Sequence, residues 1–509
     1  MTNHLYDGLF RPHEGRDTPF LIAADGSIVT HGAFLDDAAR MAAALRDLGL
    51  VPGDRIAIQL SKGPAMLAAV AAAIRCGIVF LPLNTAYTPS ELGYHVADAG
   101  AALFLADPGS EGRLGGAAAR AGARLMTLGP SGSGSFGALA ARAVPDPDAL
   151  ARRGPDDLAA LLYTSGTTGR SKGAMLTHGN LLSNAQVLAR EWRFTAADVL
   201  LHALPVFHTH GLFVATNVAL VAGCPMIFLP RFDADAVIGQ LPQATAMMGV
   251  PTFYTRLLDH PGLTAALVRH MRLFVSGSAP LLAETHRAWE SRTGHRILER
   301  YGMTETSMNT SNPYEGDRRP GTVGRALPGI EVRVCDPPGR PVAAGQPGVI
   351  EIRGPNVFSG YWRMPEKTKE ELRADGFFLT GDIGVLDAEG YLTIVGRAKD
   401  LVITGGYNVY PREVELALDA QQDVLESAVI GVPHPDLGEA VVAVVVPRPG
   451  HSPDPARLID AVAGRLAGYK RPKHLAVMAE LPRNAMGKVQ KAALRAAFAD
   501  LFSRPRADR

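Results

Sequence analysis

The chain has 509 residues and a formal net charge of +1, with 47% hydrophobic and 20% charged residues. A near-neutral balance leaves no basic footprint for nucleic acid, and the apolar share is that of a globular protein large enough for several subdomains. Three cysteines, Cys76, Cys224 and Cys335, lie far apart in apolar surroundings with no metal-ligand spacing, so buried free thiols are expected rather than a disulfide scaffold.

The first half alternates short apolar strands with helices. Arg55 to Leu60, Ala65 to Arg75 and Ile78 to Leu83 read as strand, alanine-rich helix and strand. A second unit runs from the helix starting at Pro89-Ser90-Glu91 to Ala102 to Leu105, and a third alternation occupies Val199 to Leu229. The stretch Gly129 to Gly137, rich in Gly and Ser, reads as a solvent loop. Gly211 to Pro230 carries no charge and is long enough to cross a bilayer. Asn217 and the Gly223-Cys224-Pro225 break divide it into a buried helix and a strand, which argues against stable membrane insertion. The N-terminus lacks the basic start and apolar core of a signal peptide, so a cytoplasmic protein is expected.

Strands at Ala246 to Val250 and Leu273 to Ser276, then a helix at Ala283 to Thr293, continue the doubly wound α/β series. After Gly321 the short strands Glu331 to Val334, Gly348 to Arg353 and Tyr391 to Val395, separated by Gly- and Pro-rich turns, predict a small β-rich subdomain. A new alternation follows: helix Pro411 to Gln421, strands Val424 to Val432 and Ala440 to Pro447, helix Ala456 to Leu466. The expected fold is α/β, with a large N-terminal domain over 1–398 and an α+β C-terminal domain over 399–509.

Tyr163-Thr-Ser-Gly-Thr-Thr-Gly-Arg-Ser-Lys-Gly173 concentrates hydroxyls, glycines and Lys172 where an apolar run ends, the composition of a phosphate cradle. It lacks the Gly-Lys-Ser/Thr order of the common nucleotide-binding loop, which disfavours a kinase or ordinary ATPase. Downstream, in fixed order, come Tyr301-Gly-Met-Thr-Glu305, Thr380-Gly-Asp382, Gly396-Arg397 with Lys399 and Asp400, and Asn484-Ala-Met-Gly-Lys488. Each alone has an ordinary structural explanation. As an ordered set from about Leu162 to Lys488 they resemble the acyl-adenylate-forming (AMP-binding) superfamily, and specifically its acyl-CoA synthetases.

The resemblance implies that an acid is adenylated by ATP and then passed to a thiol, with Mg²⁺ and coenzyme A required. It implies that Thr164, Ser165, Gly166, Thr167, Thr168, Gly169 and Lys172 hold the β- and γ-phosphates, with Glu305 and Thr168 on the metal. Ser278, Ala279, Pro280, Glu299, Arg300, Tyr301, Gly302, Met303 and Thr304 would surround the nucleotide, and Asp382 with Arg397 would grip the ribose. Thr304, Glu305, His208 and Lys488 would be the catalytic groups, Lys488 stabilising the charge that builds at the α-phosphate. The C-terminal domain would be mobile about Lys399, bringing Gly405, Gly406 and Tyr407 to the CoA arm, with Arg231, and on weaker grounds Arg471 or Lys473, near CoA phosphates.

For the acid, Phe207-His-Thr-His210 is read as the end of one strand and Val250-Pro-Thr-Phe-Tyr-Thr-Arg256 as following another. His208, His210, Arg256, Ser276 and Gly277 are the candidate carboxylate ligands. Arg256, read as a buried arginine, calls for an anion on the substrate itself, hence a short dicarboxylate. The runs Met303 to Tyr314 and Phe253-Tyr-Thr-Arg256 resemble the malonyl-CoA synthetase group. Methylmalonate or another short acid, and loading of a carrier protein instead of CoA, are the alternatives. No carrier domain follows Phe502 to Arg509, and a monomer or homodimer is expected.

Overall fold

The computed structural model describes residues 2–164, 171–337, 339–405, 407–463, 465–484 and 488–502. By internal contact the chain forms two compact units, Met1–Val332 with Ile352–Phe378, and Arg333–Glu351 with Leu379–Arg509. The boundary expected between residues 398 and 399 falls inside the second unit.

The first unit is built on two sheets. In one, the strands Arg124–Thr127, Leu103–Ala106, Arg55–Gln59, Val79–Pro82 and Leu158–Thr164 run parallel, and Lys172–Thr177 closes the edge as an antiparallel hairpin. The alanine-rich helix Pro64–Cys76 shows why the first βαβ unit was readable. Every residue after Pro64 is buried, and small side chains let it approach both the sheet and the helix His31–Asp47 closely. It stops at Gly77, whose φ of +65° only glycine adopts cheaply and where a Cβ would lie 2.7 Å from Nε of Arg153. Thr88 and Glu91 form a reciprocal cap on the next helix, Pro89–Ala99.

The second sheet has nine strands. Its parallel centre runs Leu298–Met303, Leu273–Ser276, Ala246–Gly249, Leu200–His202, Met226–Phe228 and Pro19–Ile22. The C-terminal ends of these strands carry the site residues. The uncharged stretch after His210 divides into the π-helix His210–Thr216, the α-helix Asn217–Ala222 and the strand Met226–Phe228. Among the described residues no helix is long and apolar enough to cross a membrane.

Two expectations need correction. Gly129 to Gly137 is not wholly a solvent loop: from Ser135 it becomes the helix Ser135–Ala140 and buries Phe136 completely. One aromatic side chain outweighs the flexible composition around it, since burying it contributes about 2–3 kcal/mol. Phe207 to His210 does not end a strand either, because the strand stops at His202 and a compact turn intervenes.

In the second unit, the strands Glu331–Cys335, Pro347–Arg353, Phe378–Leu386 and Leu392–Arg397 form a sheet in that order. A further sheet is ordered Tyr407–Val409, Val402–Thr404, Gly438–Pro447, Val424–His434, with His474–Val477 added parallel to Gly438–Pro447. Alternate residues of its long strands serve two cores. Val429, Val441, Ala443 and Val445 pack under the helices Pro411–Asp419 and Pro455–Ala463, while Ile430, Val442, Val444 and Val446 pack with Leu481 and Leu494. Burial on both faces explains the unbroken valine run. The three cysteines are buried and free, as expected.

Candidate active site

At one end of the first unit, the paired residues Thr164 and Lys172 frame the cradle. Ser165, Gly166, Thr167, Thr168 and Gly169 lie outside the described residues. Lys172 is buried, with Nζ 3.2 Å from the Glu371 carboxylate and 4.0 Å above the Tyr361 ring. The Tyr361 hydroxyl lies 2.6 Å from Oε2 of Glu371 and 3.1 Å from Oε1 of Glu305, which also sits 3.5 Å from the Thr164 hydroxyl. Burial pushes the Tyr361 hydroxyl pKa far up, and the two carboxylates add to this, so it remains a donor. Burial alone would raise the Glu371 pKa, but Tyr361, Lys367 and Lys172 together hold it below the usual range.

Glu305 is a buried carboxylate facing the cradle. Among the described residues no group of three His, Cys, Asp or Glu could hold an ion by itself. Mg²⁺ characteristically keeps phosphate oxygens and water and takes one or two protein carboxylates. Tyr361 and Glu371 were not anticipated. The signal was present in Gly360-Tyr-Trp, with acidic and basic residues following from Glu366 to Glu371.

The nucleotide candidates lie at the ends of two neighbouring parallel strands. Leu273–Ser276 runs into Gly277 and then Ser278, which holds φ +72°. A non-glycine residue in this region costs of order 1–3 kcal/mol and persists where the surroundings impose it, as at ligand sites. Glu299 accepts a hydrogen bond from the Leu281 backbone N–H at 3.2 Å, which ties the Ser278-Ala279-Pro280 loop to the strand Leu298–Met303. Tyr301 is buried, and Gly302, Met303 and Thr304 are half-buried.

Beside them is a group of buried polar residues around a basic side chain. Arg300 is buried, and its Nε and Nη2 have no hydrogen-bond partner among the described residues. Its guanidinium lies against Gly277, where a Cβ would sit 2.5 Å from Cζ. Burial pushes its pKa down to about 9. Nδ1 of the buried His210 lies 3.2 Å from the Ser278 hydroxyl, and its Nε2 has no partner among the described residues. Burial first, then the positive charge of Arg300, keeps the His210 pKa well below 6.5, so the ring is neutral. The buried Ser276 hydroxyl is likewise unpartnered among these residues. His208 is half-buried, its Nδ1 3.4 Å from the His210 backbone N–H.

The buried arginine is therefore Arg300, not Arg256. Along the helix Pro251–Asp259, Phe253, Tyr254 and Leu257 face inward at helical spacing, and Arg256, two residues from Tyr254, points to the opposite, exposed side. Arg231 is also exposed. Arg300 had been grouped with the nucleotide because it precedes Tyr301.

The second unit holds the remaining candidates. Asp382 and Arg397 stand opposite each other on antiparallel strands, and Nε of Arg397 is 2.7 Å from the buried Asp382 carboxylate. Lys399 is exposed in the 3₁₀ turn Ala398–Asp400. Gly405 has φ +56°, Tyr407 is exposed and stacks on Tyr469 at 4.7 Å, and Gly406 lies outside the described residues. Arg471 donates to the carbonyls of Ala463 and Leu466, so it caps a helix instead of presenting its charge outward. Lys488 is exposed, and the Asn484 side chain accepts from its backbone N–H at 3.0 Å.

Similarity to known proteins agrees with this geometry. The AMP-binding enzyme model matches residues 11–362 and the AMP-binding enzyme C-terminal domain model matches 413–488. ATP-bound MatB from Rhodopseudomonas palustris is 54% identical, with a TM-score of 0.95 over 99% of this chain and 100% of that one. A sulfoacetate–CoA ligase of Cupriavidus necator is 38% identical over 481 residues, 93% of this chain and 94% of the relative. A malonate–CoA ligase of Arabidopsis thaliana is 38% identical over 371 residues, 67% of this chain and 60% of the relative. The chain belongs to the AMP-binding enzyme family. Within it, the chain is an acid–thiol ligase, an acyl-CoA synthetase that uses ATP, Mg²⁺ and CoA.

Proposed function

We propose that the chain is a malonate–CoA ligase, forming malonyl-CoA, AMP and pyrophosphate through malonyl-adenylate. The observation that carries this reading is the unpartnered edge of Arg300. Nε and Nη2 lie on one side of the guanidinium and match the two oxygens of a carboxylate, and Nε2 of neutral His210 and the Ser276 hydroxyl add polar groups beside it. As an acyl recess, this arrangement would suit an acid with a second anionic group and disfavour an apolar tail, which would leave those groups buried and unsatisfied.

One malonate carboxylate is held in this recess and the other is activated. An oxygen of the second carboxylate, oriented by His208, attacks the α-phosphorus, the bond to the β-phosphate breaks, and pyrophosphate leaves. Lys172 exchanges Glu371 for the departing phosphates, Thr304 donates to the α-phosphate, and Lys488 offsets the charge gathering there. Glu305 and Thr168 would hold Mg²⁺, which would supply neutralisation of phosphate charge. Asp382 and Arg397 hold the ribose. The deprotonated sulfur of CoA then attacks the acyl carbon, and AMP departs. A C-terminal domain from 399 that turns about Lys399 would separate the halves, so Lys399→Pro should slow thioester formation while sparing adenylation.

Sulfoacetate is a second reading, favoured by the full-length relative that uses it by name. A sulfonate is also an anion that Arg300 can hold. The test is a panel of malonate, methylmalonate, sulfoacetate, acetate, butyrate and coumarate with ATP, Mg²⁺ and CoA. Malonate should give the highest kcat/KM. A preference for sulfoacetate would transfer the assignment, and a preference for a monocarboxylate would remove the distal-anion reading.

A further inference from the structure

Outside the site described above, Lys62 holds an unusual position. It lies in the loop between the strand Arg55–Gln59 and the helix Pro64–Cys76, and its ammonium reaches across to the other sheet. Nζ is 2.9 Å from Nδ1 and 2.8 Å from the carbonyl oxygen of His202, and 4.3 Å above the Phe228 ring. Among the described residues no ion pair to a carboxylate is formed by Lys62. His202 is fully buried at the end of its strand.

The hydrogen bonds define the tautomer of His202. Its Nε2 is 2.9 Å from the Gly211 carbonyl oxygen, which can only accept, so Nε2 carries the proton. Nδ1 is then the acceptor, and Lys62 donates to it. The Thr216 hydroxyl donates to the same Gly211 oxygen at 2.9 Å. Gly211 has no slack on its other side, because a Cβ there would collide with the Pro205 carbonyl. Gly211 directly follows His210, and both belong to the π-helix His210–Thr216, a form often found where a helix serves a site.

We propose that Lys62 is a positioning residue for the acyl pocket: through His202 it fixes the Gly211 carbonyl, and so the turn that aims His210 at the substrate acid. Lys62 does not touch the acid, and its effect passes along Lys62, His202 and Gly211. The inference rests on the acyl-pocket reading above but not on the acid being malonate.

The test measures initial rates of Lys62→Met and Thr216→Val against each substrate, using whichever acid the native enzyme turns over best. Lys62→Met keeps the apolar stem and removes the donor. Loss of the buried hydrogen bonds from Lys62 to His202 should raise KM for the acid about tenfold, while KM for ATP stays within about twofold. Thr216→Val, which leaves His202 as the one side-chain donor to Gly211, should raise the acid KM about threefold. His202→Gln, which can still place an N–H near Gly211, should recover more acid affinity than His202→Phe. A folded Lys62→Met protein with native acid KM would overturn the proposal, as would equal rises for acid and ATP. If circular dichroism shows that Lys62→Met does not fold, the His202 pair decides: equal acid KM in both variants would overturn it. A native enzyme that prefers another acid would sink the malonate reading and leave this test standing.

Discussion

Two of the cations buried in the first unit, Lys172 and Arg300, have contrasting surroundings. Lys172 faces a carboxylate: Glu371 lies 3.2 Å away and is in turn bonded by Tyr361. Arg300 lies against the backbone at Gly277 with the neutral His210 ring within reach of its charge, and two of its nitrogens have no partner among the described residues. A buried charge needs a counter-charge or pays a desolvation cost. At Lys172 the protein supplies one, which on the proposed reading an incoming phosphate would displace. At Arg300 the proposed reading leaves the counter-charge for the substrate to bring, which would make the acyl end selective.

The contrast is broken most directly at Arg300. Arg300→Met should lower kcat/KM for malonate by about 10² to 10³, the range for removing one partner of a buried charge pair. Pyrophosphate exchange with malonate should fall in parallel, and acetate turnover should change little. An equal loss with acetate would mean that Arg300 supports the nucleotide instead.

At the other end, Glu371→Gln removes the resting partner of Lys172. The free protein should melt a few degrees lower, about 2–4 °C per kcal/mol for a unit of this size. ATP should then raise its melting temperature by more than it raises that of the native protein, because phosphate no longer competes with Glu371. An unchanged ATP-induced shift would argue against an exchangeable partner.

Buried bases without hydrogen-bond partners among the described residues also occur elsewhere. Neither ring nitrogen of His31 or His286 has a hydrogen-bond partner among the described residues, and burial pushes both pKa values down to about 4. In the unfolded chain these rings titrate near 6.5, so between pH 6.5 and 4 the unfolded state binds the extra protons. Stability is therefore present above pH 6.5 and lost as pH falls toward 4, with a slope approaching 1.4 kcal/mol per pH unit for each proton. Urea midpoints at pH 7.5, 6 and 5 would show the decline, and His31→Phe should flatten it.

Arg256 offers the smallest effect. Exposed on its helix, it should cost malonate turnover less than about fivefold when changed to Ala, as expected for a solvent-screened charge. A loss larger than that of Arg300→Met would exchange the two assignments.

Much of the architecture was legible because its signals are local. The helix Ala283–Thr293 and the strand Leu273–Ser276 have the bounds their apolar pattern predicts. The pairing of Asp382 with Arg397 was legible as motif order, and strand register then places them face to face. Arg256 was misread because its sequence context indicated a helix without showing which face it takes. Motif order places Arg300 beside Tyr301 among the nucleotide candidates, but it does not show that the Arg300 side chain is buried without hydrogen-bond partners at Nε and Nη2. Lys62 and His202, separated by 140 positions, have no common motif.

By itself the sequence determined the family, the chemistry of adenylation and thioester formation, and the main α/β alternation, but not such elements as the helices His31–Asp47 and His178–Glu191 or the strand Phe378–Leu386. Periodicity, capping residues and phosphate-binding composition act over a few residues, and ordered motifs survive as text. Tertiary structure alone decided which cations are neutralised within the protein and which await a ligand. Desolvation and pairing depend on what the fold packs around a charge, and for Arg300, Lys172 and Lys62 those neighbours come from distant parts of the chain.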